Sequence, residues 1–175
     1  MEIFHGTRQR FDHFDTSFKG TGEAGSVDGC WFTDNFIGAR RHALYKNRNV
    51  GSPLVYRCEL TPQVILADHS KALVDQPVIA ALLKKHWPVA LTCSLNGTLW
   101  HALDVPVYEK FKGKTEYRGC GVISREELLG LYAACGIHGV YDWESPDTDA
   151  YLAGKTTLLF DFTELIIKEV IEVDF

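Results

Sequence analysis

The order of strand-like and helix-like segments constrains the fold of this chain more than any other feature of its sequence. Runs with the alternating or continuous apolar character of β-strands lie toward both ends, at residues 2–5, 30–33, 53–60, 63–67, 137–141, 157–162 and 165–173. Apolar residues at helical spacing lie between them, near residues 74–83 and 128–132. Strands at both ends with helices inserted between them predict an α+β fold.

A further helix is expected directly after the strand at residues 30–33. Asp34 and Asn35 are residue types that cap helix N-termini, and a helix is predicted from there to Tyr45. Its inner side is expected to carry Phe36, Ala39 and Ala43, with Ile37 as a further candidate. Residues 6–29, which are rich in Gly, Asp and Thr, predict a long ordered loop over a cleft.

Composition limits the classes of protein to which the chain can belong. A length of 175 residues with 46% hydrophobic content fits one domain, expected to span residues 1–175. The formal net charge of -5 disfavours a nucleic-acid partner. Five scattered cysteines without a C-x-x-C pair predict neither a disulfide framework nor a metal site. The sequence shows neither the pattern of a signal peptide nor an apolar segment long enough to span a membrane. We therefore expect a cytoplasmic protein that does not enter a membrane.

Two nucleotide-binding motifs occur in contexts that argue against them. Gly20, Gly22 and Gly25 match G-x-G-x-x-G, but the flanking residues make a poor buried strand and a poor first helical turn. Residues 154–156 match the end of a P-loop, but Asp149 stands where its first glycine belongs and would repel phosphate. We therefore predict neither a Rossmann site nor a P-loop.

A short polar run at the end of the first predicted strand carries groups that suit a ribose-and-amide ligand. The imidazole of His5 can bond a ribose hydroxyl, and the hydroxyl of Thr7 can donate to a ribose or phosphate oxygen. Gly6, which lacks a Cβ atom, lets the main chain approach a flat carboxamide closely. An N-terminal histidine is also common as an ordinary surface residue, so this run alone does not decide the function.

The second segment, Trp31-Phe-Thr-Asp-Asn35 followed by a helix with A-x-x-H-A, completes a recognisable pattern. Together with His5-Gly-Thr7 it resembles the mono-ADP-ribosyltransferases of the diphtheria-toxin class, which are marked by a His, a Tyr pair and a Glu. Trp31 and His42 occupy the two Tyr positions, eleven residues apart. The resemblance implies split antiparallel β-sheets around an NAD cleft, with helices packed around them.

The resemblance also implies a role for each residue that matches the pattern. His5 is expected to bind the adenosine-side ribose of NAD, and Gly6 the nicotinamide carboxamide through its main chain. Trp31 and His42 are expected to flank the nicotinamide ring, with Phe32 and Tyr45 as alternatives. The competing interpretation is that Trp31 and Phe32 are simply core residues of a strand.

A carboxylate is needed near the nicotinamide ribose, because an anion there stabilises the oxocarbenium-like state formed as the glycosidic bond breaks. Acidic residues cluster directly after the strand at 137–141. Glu144, the one glutamate of the cluster, is the first candidate for this catalytic group, with the alternatives Asp149, Asp147 and Asp142. A solvated acidic loop is the plain structural alternative.

The expected function is transfer of ADP-ribose from NAD to a macromolecule, with a protein as the favoured acceptor, without a metal. The first five residues also resemble the opening of small phage-encoded ADP-ribosyltransferases of the anti-CRISPR type, which suggests an effector-like context. Two alternatives stay open. Water replaces the acceptor in an NAD glycohydrolase, and the altered Tyr pair also fits an inactive binding or inhibitory module on the same fold.

Overall fold

A computed structural model of the chain describes residues 1–15, 29–45, 51–86, 108–111, 114–117, 125–142 and 154–174. The strands of this described part are β1 (Glu2–Thr7), β2 (Cys30–Thr33), β3 (Leu54–Leu60), β4 (Leu66–Asp68), β5 (Tyr108–Phe111), β6 (Lys114–Tyr117), β7 (Gly139–Tyr141), β8 (Thr156–Leu159) and β9 (Leu165–Glu172). Its helices are α1 (Phe36–Tyr45), α2 (Pro77–His86) and α3 (Arg125–Ala134), with a 3₁₀ turn at Leu73–Asp75.

Seven of the strands form one sheet in the order β4-β7-β8-β2-β1-β3-β9, and β5 pairs with β6 alone. The predicted α+β class is confirmed. The sheet is mixed, because β4 runs parallel to β7 while the other paired neighbours are antiparallel. A parallel pair needs a long crossover connection, and the chain between β4 and β7 contains both α2 and α3.

The two faces of the sheet are covered differently. One face, the helix face, carries Val140, Leu158 and Trp31 as cross-strand neighbours, and they pack against apolar residues of α2 and α3. Helix α1 packs on the same face of β1 and β3. The other face, the loop face, carries a cluster of Ile3, Phe14, Phe32, Leu54, Tyr56, Cys58, Leu60 and Leu159. Each side chain's face therefore follows from the alternation along its strand.

Helix α1 is fixed at both ends by polar side chains. The Asn35 side-chain oxygen accepts from the backbone N–H of Ile37 at 2.8 Å, which confirms the predicted N-cap. At the other end, the Arg8 guanidinium donates to the carbonyl oxygens of Ala43 and Leu44, each at 2.9 Å. The buried residues of α1 are Gly38, Ala39, Ala43 and Leu44. Placing Ile37 on the inner side was wrong, since that side chain is 54% exposed.

Four predicted strand boundaries were wrong by two residues or more, and one of them is the start of β7, which lies at Gly139 and not at Ile137. The first strand continues to Thr7, because its residues stay paired with β3 up to Leu54. The strand predicted at 63–67 begins only at Leu66, since residues 61–64 form a turn in which Val64 donates to the Thr61 carbonyl. Strand β8 ends at Leu159, because the next two backbone N–H groups both donate to the His138 carbonyl.

In the part of the chain that the structure describes, none of the helices is long and apolar enough to cross a membrane.

Candidate functional site

The sheet is almost divided between β1 and β2. These two strands share one residue pair, Phe4 with Thr33, whereas β1 and β3 share six. Continued in the same register, Gly6 would lie opposite Trp31. Residues 5–7 and 30–32 are all described, and no ladder joins them. The space beside Gly6 and Trp31 is called the β1–β2 split below.

Two imidazoles form hydrogen bonds with the carbonyl groups that face this split. The Nδ1 atom of His5 lies 2.6 Å from the Trp31 carbonyl oxygen, and Nδ1 of His42 lies 2.8 Å from the Gly6 carbonyl oxygen. A carbonyl oxygen only accepts, so we assign the proton to Nδ1 in both rings. In the neutral form of each ring, Nε2 is then a hydrogen-bond acceptor. The histidines thus replace the bonds that Gly6 and Trp31 would exchange in a continued ladder.

The backbone N–H groups of Gly6 and Trp31 face the same split. The Met1 carbonyl accepts from Leu60 of β3, so odd-numbered residues of β1 face β3 and Gly6 faces β2. Backbone groups alternate along β2 in the same way. The Asp34 N–H donates to the carbonyl of Lys155, directly before β8, so even-numbered residues of β2 face β8. Trp31 therefore faces β1. Two backbone donors and two histidines meet at one place.

Aromatic rings enclose the imidazole of His5 on the loop face. Its centroid lies 5.3 Å from that of Phe14, 5.4 Å from that of Phe32 and 6.3 Å from that of Phe11. Burial lowers the pKa of His5 to about 4; the hydrogen bond to Trp31 opposes this shift, and nearby His42 adds to it. His5 is therefore a neutral acceptor at physiological pH and not a cation.

Trp31 and His42, which were predicted to flank one ring, both lie on the helix face. Trp31 is half-buried and packs beside the cluster of α2 and α3, and His42 projects from α1. Among the described residues, no hydrogen-bond partner is found for the indole Nε1. Trp31 and His42 thus share one face of the sheet, while the side chain of His5 lies on the opposite face.

The remaining predicted ligand residues have structural roles of their own. A Cβ atom on Gly6 would overlap the Ala39 carbonyl oxygen, so this glycine lets α1 lie against β1. The Thr7 hydroxyl accepts from the Gln9 N–H at 3.2 Å. Phe32 is 2% exposed and belongs to the core, whereas Tyr45 is 48% exposed at the end of α1. Phe32 lies on the loop face beside His5, opposite the face of Trp31 and His42.

One of the predicted carboxylates, Asp142, is buried at the end of β7. Its side chain is 0% exposed, and Oδ2 lies 3.0 Å from Nζ of Lys155. The residue has a φ of 54°, a conformation that Asp tolerates better than most residues. Its backbone N–H donates to the Thr156 carbonyl at 2.7 Å. Glu144, Asp147 and Asp149 lie outside the described residues.

Lys155 also connects Asp142 to the start of α1. Its backbone N–H donates to Asp34 Oδ1 at 2.9 Å. A Cβ atom on Gly154 would lie 2.7 Å from Asn35 Cβ and 2.8 Å from Thr33 Oγ1, so the glycine permits this approach. In the sequence, Lys155 stands out only as part of the discarded P-loop match. The sequence feature that could have identified Lys155 is its position directly before β8. Strand β8 pairs with β7, and the acidic cluster follows β7.

Asp142 and His5 are separated by the strands that lie between them. Because β7, β8, β2 and β1 are consecutive in the sheet, β7 and β1 are about 14 Å apart at the usual strand spacing. Of the described residues that flank 143–153, Asp142 donates its N–H to the Thr156 carbonyl, and Gly154 lies against Asn35 at the start of α1. In the part of the chain described here, no group of three or more His, Cys, Asp or Glu side chains is placed to hold a metal ion.

A cavity of about 570 Å³ lies elsewhere, beside edge strand β4, and neither His5, Trp31 nor His42 lines it.

Comparison of the chain with protein-family models, curated proteins and solved structures gives no match. Function must therefore be inferred from the residues and their geometry.

Proposed function

We propose that this protein is a mono-ADP-ribosyltransferase that cleaves NAD at the nicotinamide–ribose bond and transfers ADP-ribose to a protein. The observation that carries the proposal is the β1–β2 split, where Gly6, Trp31 and two histidines meet. The single pair Phe4–Thr33 also supports the finer expectation of a fold in which two sheet halves flank a cleft.

The groups at the split complement the ribose and nicotinamide groups of NAD. The Gly6 N–H is a donor for the carboxamide oxygen, and the Nε2 atom of His5 is an acceptor for a hydroxyl of the adenosine-side ribose. Trp31 and His42 supply flat surfaces on the helix face for the pyridine ring. Because these groups are fixed by backbone hydrogen bonds, they are positioned before the ligand arrives.

In the proposed reaction the glycosidic bond breaks and its electron pair moves to the nicotinamide nitrogen. A nucleophilic atom of the acceptor protein bonds to the ribose C1′ carbon and releases its proton to solvent. The positive charge that develops on the sugar requires a nearby anion. Glu144 remains our first candidate for that anion, with Asp149, Asp147 and Asp142 as the alternatives.

The test is incubation of the purified protein with labelled NAD and a cell extract, followed by measurement of labelled protein and free ADP-ribose. Wild-type protein is expected to label a protein target. Glu144→Gln should lower the rate by about 100-fold, the usual loss for a group that stabilises the transition state, and His5→Ala should lower activity by weakening the binding of NAD. His13→Ala is the matched control, because the side chain of His13 is 79% exposed.

The outcomes separate the three candidate functions. Free ADP-ribose without labelled protein identifies an NAD glycohydrolase. A folded wild-type protein that consumes no NAD contradicts the proposal and supports the inactive binding or inhibitory module. If Glu144→Gln is fully active, Glu144 is the wrong carboxylate, and Asp149→Asn and Asp142→Asn are the next variants to measure.

A further inference from the structure

The outer edge of β4 has backbone groups that point away from the sheet. Just before β4, Ile65 exchanges hydrogen bonds with His138: its N–H donates to Nδ1 at 3.0 Å, and its carbonyl accepts from the His138 N–H at 2.9 Å. These bonds face β7. Backbone groups alternate along a strand, so those of Leu66 and Asp68 point outward. In the described part of the chain, no strand lies beyond β4.

A side chain imitates a neighbouring strand at one of these outward positions. The Gln76 Oε1 atom accepts from the Asp68 N–H at 2.8 Å, and Gln76 Nε2 donates to the Asp68 carbonyl at 2.7 Å. This is the pair of bonds that a residue of an added strand makes. Gln76 closes the edge at Asp68, while Leu66, two residues earlier, presents the same donor and acceptor on the same side.

The cavity of about 570 Å³ runs beside this edge. Its lining includes Val64, Leu66, Gln76 and Val78. Val78 is 60% exposed, and Met1, which also lines the cavity, is 49% exposed. Backbone groups open to pairing, with apolar surface alongside them, are what a sheet edge offers to an extended peptide.

The charges at the cavity favour a basic partner. Asp68 and Asp75 both line it, together with Lys71, whose Nζ lies 3.0 Å from Asp68 Oδ2. Lys71 neutralises Asp68, whereas within the described residues Asp75 forms no ion pair and keeps an uncompensated negative charge at the cavity. A lysine or arginine next to the apolar residues of an incoming segment complements that charge.

We propose that the edge of β4 binds an extended segment of a partner protein as an added strand. The segment pairs with the backbone of Leu66, places an apolar side chain against Val78, and sets a basic side chain near Asp75. This docking surface is separate from the β1–β2 split and does not depend on NAD chemistry.

The test uses short linear peptides of random sequence displayed on phage and selected on the full-length wild-type protein. The selected peptides should alternate apolar and polar residues and contain a lysine or arginine. Val78→Asp should weaken binding of a selected peptide at least about tenfold, as expected for loss of a central apolar contact. Val74→Asp is the matched control, because Val74 is 61% exposed in the adjacent turn and does not line the cavity.

Backbone pairing has a readout of its own. Methylation of the peptide nitrogen that pairs with the Leu66 carbonyl should abolish binding, and the bound peptide should protect the Leu66 amide from hydrogen exchange. The proposal is wrong if no peptide family is enriched, or if the selected peptides bind Val78→Asp as tightly as wild type. It is also wrong if the wild-type protein forms a dimer that Val78→Asp dissociates, since a second copy then occupies the edge.

Discussion

The imidazole of His42 on α1 donates from Nδ1 to the carbonyl oxygen of Gly6 at 2.8 Å, at the point where β1 separates from β2. His5 makes the corresponding bond to the Trp31 carbonyl. Both carbonyls are therefore satisfied without the ladder that would otherwise join Gly6 to Trp31. The two histidines keep the split open in a region where strand pairing is the alternative.

Replacement of His42 by alanine should close the β1–β2 split and weaken NAD binding, with only a small loss of stability. Loss of one hydrogen bond costs about 1 kcal/mol of unfolding free energy, and Gly6 can then pair with Trp31. We expect His42→Ala to bind NAD at least about tenfold more weakly in calorimetric titration, which corresponds to about 1.4 kcal/mol. Unchanged NAD affinity would show that His42 does not keep the site open.

Gly6 and Gly130 provide a matched pair of glycine substitutions with opposite expected signs. A Cβ atom on Gly6 would overlap the Ala39 carbonyl and lie 2.9 Å from Ala43 N, so Gly6→Ala should destabilise the protein by about 3 kcal/mol. A Cβ atom on Gly130, within α3, would have no contact within 4 Å among the described residues. Gly130→Ala should stabilise by about 0.5–1 kcal/mol, because alanine favours helix. Urea unfolding measures both, and equal effects would contradict the close packing of α1 on β1.

The pair Lys155–Asp142 should matter more to stability than a pair at the surface. Lys155→Met leaves the buried carboxylate of Asp142 without this cation and should cost about 2–3 kcal/mol. Lys168→Met is the control, because Lys168 and Glu59 form an exposed pair at 2.6 Å, and solvent screens such a pair so that its loss changes stability little. Adding Asp142→Asn to Lys155→Met should restore part of the loss. No recovery in urea unfolding argues against a buried charge as the cause.

The stability of the protein should fall in mild acid, partly because of His5. Its pKa is about 4 in the folded state against 6.5 for the free side chain, so the unfolded state binds the extra proton between these values. The contribution of His5 to the free energy of unfolding is fully present above about pH 6.5 and is lost as the pH falls toward 4. The loss at pH 5 is about 2 kcal/mol.

His5→Asn removes this titration and retains a donor for the Trp31 carbonyl. Urea unfolding near pH 7.5 and near pH 5 should therefore show a smaller acid loss in His5→Asn than in wild type. The fully buried His69, whose pKa is lowered to about 3, stays in place and accounts for acid sensitivity that remains. His13→Asn, at an exposed position, should behave like wild type. The same slope in all three proteins contradicts a lowered pKa for His5 in the folded state.

Short-range patterns in the sequence predicted the elements of this fold well and their contacts poorly. Capping by Asn35 and the α+β order are local properties, and the structure confirms both. The parallel pairing of β4 with β7 depends on a crossover through two helices, which periodicity does not reveal. Ile37 follows the apolar pattern of α1 but faces solvent, because Gly38 and Leu44 fill the inner side instead.

The candidate site was predicted residue by residue but not as a geometry. His5, Gly6, Trp31 and His42 were singled out from two separate segments, and the structure brings them to one split. The two imidazole–carbonyl bonds could not be predicted, because they depend on where the β1–β2 ladder stops. Lys155 was missed for a similar reason, since its contact with Asp142 spans thirteen residues and a strand pairing.

Binding of NAD observed through backbone amide resonances is the most direct test of the central claim. A titration of nitrogen-15-labelled protein with NAD should shift the amides of Gly6 and Trp31 most strongly, with little change at Leu66 and Val78 beside the other cavity. The claim is contradicted if the largest shifts lie at β4, or if a folded protein shows no shifts at saturating NAD.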